Sequence, residues 1–374
     1  MTLVLPPATG AWREGSDAGR RRFLELPAPL PLEAGGELPG VRLSYETWGS
    51  PSSPAVLVLH ALTGDSHVTG EAGPGHPTPG WWGDLIGPGR ALDPQRYFVV
   101  APNVVGGCQG TTGPSSTAPD GRPWGSRFPL VTARDSVRAE VALADALGVG
   151  RWALVVGGSM GGMRALEWAV TEPARVERLM LLASPAASAA DQIGWAAPQI
   201  AAIEADPGWH GGDYHHLPAG SGPHRGLGVA RRIAHLSYRS GYELATRFGR
   251  DPQDGEDPFH GGRYAVESYL DHHAEKLVRR FDAGSYVRLT QLMNAHDVGR
   301  GRGGVGAALA AVEARTLVVG ISSDRLYPVA QQEELARAIP GARLEVIESP
   351  YGHDGFLIEW ETVGRLAGEL LAGA

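Results

Sequence analysis

The segment Gly157-Gly158-Ser159-Met160-Gly161 constrains this chain more than any other stretch. It stands between an apolar, β-branched run, Trp152 to Val156, and a run of helical periodicity, Met163 to Thr171. G-x-S-x-G in that position reads as a strand turning so sharply into a helix that the flanking residues must be small. The serine is then lifted above the sheet edge at a helix N-terminus, whose dipole and free N–H groups favour negative charge. A plain tight turn or a phosphate-binding loop is the bland alternative. A dinucleotide fingerprint needs G-x-G-x-x-G after the first strand, and this motif lies well into the sheet.

The surrounding pattern fits the strand–turn–helix reading. Apolar runs at Val41 to Trp48, Ala55 to Leu62, Tyr97 to Val104 and Val176 to Ser184 alternate with amphipathic stretches such as Thr132 to Leu147. That rhythm predicts a mostly parallel sheet covered by helices. From Pro185 to Val312 strand runs disappear and long amphipathic stretches, Val229 to Phe248 and Ala265 to His296, take over. The strand rhythm resumes at Thr316 to Ile321 and Leu344 to Ile347, and a helix from Phe356 to Leu371 follows. The expectation is an α/β-hydrolase fold: a core over 21–184 and 313–374, a helical cap inserted over 185–312, and a flexible N-terminal tail over 1–20.

A serine hydroxyl needs a base to become a nucleophile, and in this fold an acid and then a histidine follow it in sequence. Asp324 ends the run "TLVVGISSD", and His353 lies in "SPYGHDGF" after the next strand. Alone, Asp324 could cap a helix before Pro328 and His353 could be a surface histidine; in the required order at strand ends they read as Ser159–His353–Asp324. An acyl-transfer intermediate also needs two oxyanion donors. The Met160 amide is one candidate; the Leu62 amide in "HALTGDSH" is the other, with Ala61 close behind. His60 precedes the serine and reads as a packed histidine.

Composition narrows the class. A net charge of -8 leaves no basic footprint for nucleic acid. One cysteine, Cys108, excludes an internal disulfide framework and suits a reducing compartment; it reads as a small packing residue. No apolar stretch reaches membrane-spanning length and the N-terminus has no signal-peptide pattern, so a soluble cytoplasmic protein is expected. The adjacent histidines 215–216 and 272–273 point apart on any regular element, and no metal is assigned.

Several motifs go further. "HALTGDSHVTG", "NVVGGCQGTTGPSS", "GGSMGGMRALEWA", "DPGWHGGDY", "ARRIAHLSYRS" and "YGHDGFL" resemble the homoserine O-acetyltransferases of methionine biosynthesis, over nearly the whole chain beyond about its first forty residues. The resemblance implies a ping-pong reaction in which Ser159 takes acetyl from acetyl-CoA and passes it to L-homoserine. It maps the substrate carboxylate to Arg231, with Arg232 adjacent, and the substrate ammonium to Asp354. An arginine fork and a carboxylate suit a zwitterion. It further implies a homodimer, acetyl-CoA as co-substrate and no tightly bound cofactor. Arg164 stands where many relatives carry glutamine, and Ala274 and Gly284 replace a glycine and an asparagine. The rival readings are succinyl transfer, serine as acceptor, and a simple ester hydrolase.

Overall fold

The computed structural model describes residues 5–373. The first elements are strands: β1 (Arg22–Glu25), β2 (Leu30–Pro31), β3 (Glu37–Leu38), β4 (Arg42–Trp48) and β5 (Ala55–Leu59). After a long loop come β6 (Phe98–Pro102), α1 (Ala133–Ala146), β7 (Trp152–Gly158), α2 (Met160–Thr171) and β8 (Arg178–Leu182). Next is a helical stretch: α3 (Ala190–Glu204), α4 (His224–Tyr238), α5 (Gly241–Phe248), α6 (Ala265–Val278), α7 (Ala283–Asn294) and α8 (Val305–Ala310). Then follow β9 (Arg315–Ile321), α9 (Val329–Ala338), β10 (Arg343–Ile347), α10 (Gly355–Ile358) and α11 (Trp360–Ala372).

One sheet runs in the order β1-β4-β6-β5-β7-β8-β9-β10. Strands β5 to β10 are parallel, and β4 runs antiparallel to both β1 and β6. The strand β5 shows why the sheet is covered on both faces. Its five residues are all buried: Ala55, Leu57 and Leu59 enter one apolar cluster, while Val56 and Val58 enter another. Alternation of side chains across the pleat makes a continuous apolar run the mark of a doubly covered strand. Val363, Leu366 and Leu370 of α11 complete the second face.

The first face is shared with the helical stretch. Ile203, Leu227, Leu277, Tyr286 and Leu289 belong to the same apolar cluster as Leu57 and Val100. The apolar core of segment 185–312 is therefore continuous with the sheet's. Its long amphipathic stretches are also interrupted. Ser240 ends the run through α4 by accepting the Glu243 amide at 3.0 Å, which starts α5. Asp282 does the same between α6 and α7, accepting the Ser285 amide at 2.8 Å.

Of the tail expected over 1–20, the structure describes Leu5 onward and hydrogen-bonds part of it to the rest of the chain; residues 1–4 lie outside the described residues. Thr9 is buried and donates to Asp282 at 2.7 Å, the Gly10 amide donates to Phe281 at 3.2 Å, and the Trp12 amide to Cys108 at 2.9 Å. Two of these bonds reach the α6–α7 corner and the third reaches the loop after β6.

Candidate active site

The turn at Ser159 is as tight as its glycines imply. Ser159 has φ 56° and ψ −125°, a conformation that costs a non-glycine residue of order 1–3 kcal/mol and persists only when its surroundings impose it. A Cβ on Gly161 would lie 2.0 Å from the Leu59 carbonyl oxygen, and one on Gly157 would lie 2.3 Å from the Gly161 backbone. Strand β7, helix α2 and the end of β5 are thus in backbone contact. The Ser159 amide donates to Leu182 at 2.9 Å, anchoring the turn to β8.

Asp324 follows β9 and His353 follows β10, neighbouring strands of the sheet. His353 Nδ1 donates to Asp324 Oδ2 at 2.7 Å, and Asp324 Oδ1 accepts the amides of Leu326 and Tyr327 at 2.8 and 3.0 Å. The carboxylate is therefore engaged by the loop and by His353, and α9 begins after Pro328 with no side-chain cap. Burial works to lower the imidazole, but the charge and hydrogen bond of Asp324, helped by Asp354, outweigh it and hold His353 above its ordinary value. The bond from Nδ1 leaves Nε2 as the basic nitrogen.

Ser159 and His353 both open onto a cavity of about 270 Å³, which Leu62, Trp81, Arg231 and Asp354 also line. The Met160 amide occupies the first position of α2, where a helix offers its N–H no internal acceptor. Neither that amide nor the amide of Leu62 donates to a protein acceptor among the described residues. Ala61 lines the cavity too. His60 is buried; burial, then Arg164, push it down to about 3, so it is neutral at physiological pH.

Arg231 and Arg232 part company. Arg231 faces the cavity, its guanidinium lies over the Tyr238 ring, and its buried Nε has no hydrogen-bond partner among the described residues. Arg232 instead pairs with Asp271 at 2.6 Å. Asp354 sits 3.2 Å from Arg239, a residue the sequence reading missed. Burial raises the Asp354 carboxyl although Arg239, His353 and Arg231 oppose it, so an incoming cation would be welcome there. Burial pushes Tyr238, also missed, up to about 12, which keeps its phenol protonated.

Three potential metal ligands do come together: Glu46, His67 and His76, with ligand atoms all within 4.8 Å. Sequence spacing gave no sign of them, because β4 and a distant loop supply them. Their lone pairs are otherwise engaged. His67 Nδ1 faces Glu46 at 3.0 Å and its Nε2 faces the Glu71 carbonyl at 3.2 Å, while His76 Nε2 accepts the Arg20 amide at 2.9 Å. Burial works to lower His67, but Glu46 outweighs it and holds the imidazole above its ordinary value, and His76 stacks on it; a trio bonded in this way fits a metal poorly. Cys108 is buried, and burial pushes its thiol far up, which leaves it a poor nucleophile. Arg164 is fully buried, bonded to Glu140, which also accepts from Trp168 Nε1 at 2.7 Å.

Comparison with known proteins fits this geometry. A family model described as the alpha/beta hydrolase fold matches residues 54–359. The homoserine O-acetyltransferase of Thermobifida fusca (strain YX) is 71% identical over 98% of this chain and 97% of its own length. Among solved structures, homoserine O-acetyltransferase from Bacillus anthracis superposes with a TM-score of 0.85 at 28% identity, covering 94% of this chain and 97% of that one. A mutant of esterase E22 superposes with a TM-score of 0.84 at 25% identity, covering 94% and 99%. The elbow at Ser159, the strand order and the extent of these matches lead to one conclusion: the chain belongs to the homoserine O-acetyltransferase family of α/β-hydrolases.

Proposed function

We propose that this protein transfers an acetyl group from acetyl-CoA to the hydroxyl of L-homoserine through an acetyl-Ser159 intermediate, giving O-acetyl-L-homoserine for methionine biosynthesis. The observation that carries this reading is that Ser159, His353, Arg231 and Asp354 open onto one cavity. A nucleophile and base stand beside a cation and an anion suited to an amino-acid zwitterion.

In the first half-reaction His353 takes the Ser159 proton as the oxygen attacks the thioester carbon. The resulting oxyanion is met by the amides of Met160 and Leu62. Collapse breaks the C–S bond, and the CoA sulfur leaves with the proton from His353. In the second half, His353 deprotonates the homoserine hydroxyl, which attacks the acetyl ester and releases Ser159 with its proton restored. Arg231 holds the acceptor's carboxylate and Asp354 its ammonium. Asp324 keeps His353 in the required tautomer. The scheme uses no resident cofactor.

Hydrolysis is the second reading, and the likeness to esterase E22 favours it. The two differ in whether water or homoserine discharges the acyl-enzyme. Initial rates with acetyl-CoA and homoserine varied together should give parallel double-reciprocal lines and O-acetylhomoserine as product. Acetate as the main product with homoserine present would favour the esterase, and turnover with succinyl-CoA alone would move the donor.

We further infer a homodimer formed through the helical stretch, where Ile193, Val229 and Tyr242 leave apolar surface exposed. Sedimentation of the purified protein checks this. The free buried Cys108 suits a reducing cytoplasm. No helix among the described residues is long and apolar enough to cross a membrane.

A further inference from the structure

The cavity carries more positive charge than an amino-acid acceptor uses. Arg231, Arg239, Lys276 and Arg280 line it, against the single carboxylate of Asp354. Arg239 is neutralised by Asp354 and Glu243, each at 3.2 Å. Arg231 serves the acceptor carboxylate in the proposed reaction. Lys276 and Arg280 remain, and neither forms an ion pair among the described residues. Arg280 is anchored through Nη1 to the Thr63 carbonyl at 3.0 Å. Lys276 is exposed, four residues before Arg280, in the last turn of α6 at the cavity mouth.

The identity of Lys276 adds an independent observation. The sequence holds 33 Lys and Arg residues, and only this one is lysine. A basic residue in the last turn complements a helix dipole, but arginine fills that place at Arg247 in α5 and Arg337 in α9. Helix capping alone therefore does not call for a lysine here. A compact ammonium on a flexible stem, with three donors free to turn, suits a phosphate that must enter and leave.

We propose that Lys276, backed by Arg280, binds a phosphate of the CoA moiety at the cavity mouth and so selects a phosphate-bearing acyl thioester over a bare one. This rests on the acyl-CoA reading above. The thioester would thread inward past Trp81 and Leu357 to Ser159 while the anionic end stays at the solvent edge, where Lys276 is. Being exposed, the contact weakens as salt rises.

The test compares Lys276→Gln and Lys276→Arg with the unaltered enzyme, using acetyl-CoA and the phosphate-free thioester S-acetylpantetheine at low ionic strength. The expected result for Lys276→Gln is a KM for acetyl-CoA raised about tenfold, equivalent to about 1.4 kcal/mol. Its salt dependence should flatten, Lys276→Arg should restore at least part of the affinity, and the KM values for S-acetylpantetheine and homoserine should stay unchanged. Equal losses on both thioesters, a raised homoserine KM, an unchanged acetyl-CoA KM, or no restoration by arginine would each overturn the proposal. If the unaltered enzyme forms no acyl-enzyme from acetyl-CoA, the parent reading fails instead.

Discussion

The buried imidazole of His60 donates from Nδ1 to the Ala61 carbonyl at 2.8 Å and accepts the Val104 amide at Nε2 at 3.1 Å. These two bonds fix its tautomer. The Ala61 carbonyl also accepts the Gly64 amide at 3.0 Å. That carbonyl and the Leu62 N–H belong to one planar peptide, so holding the first aims the second.

His60→Ala should therefore reduce kcat by up to about 10²-fold, the scale of one lost oxyanion donor. KM for homoserine should change little. Leaving the buried Val104 N–H without an acceptor should also lower stability by about 1–3 kcal/mol. Steady-state kinetics and urea unfolding measure the two effects separately, and unchanged kcat in a destabilised variant would leave His60 a structural residue only.

The pH profile should report His353. The base must be neutral to accept a proton, so kcat/KM falls as pH drops through its pKa. Because Asp324 holds that value up, the acid limb should lie above the ordinary imidazole value of about 6.5. Asp324→Asn removes the charge, so the limb should move to lower pH while the plateau falls on the order of 10³–10⁴-fold.

The neighbours Arg231 and Arg232 should behave oppositely. Arg231→Ala removes a cavity-facing guanidinium, and the homoserine KM should rise by about ten- to a hundredfold, one to two steps of about 1.4 kcal/mol. Arg232→Ala breaks a partly exposed pair with Asp271 and should leave both KM values within about twofold. Comparable KM effects from both substitutions would contradict the assignment.

How much of this was legible in the sequence depends on distance along the chain. The elbow and the doubly buried strands β5 and β6 are written in short contiguous runs. Asp324 and His353 are placed by their order at strand ends. Arg239 is not, because its approach to Asp354 comes from α4 packing over the turn at Gly352–Asp354. The Glu46–His67–His76 cluster is hidden in the same way. Thr9 looked like part of a solvated tail because its partner, Asp282, is 273 residues away.

Arg164 gives a prediction about stability. Its guanidinium and the Glu140 carboxylate are both buried, so truncating either leaves the other uncompensated. Arg164→Ala should cost about 3–5 kcal/mol in urea unfolding. The double variant with Glu140→Ala should lose less than the sum of the two single losses. Strict additivity would show that the pair contributes nothing as a pair.

Intact-mass analysis after mixing with acetyl-CoA tests the central claim most directly. The protein should gain the mass of one acetyl group, L-homoserine should remove it with formation of O-acetylhomoserine, and Ser159→Ala should gain nothing. Absence of the adduct during turnover, its persistence in Ser159→Ala, or labelling by succinyl-CoA alone would contradict the account.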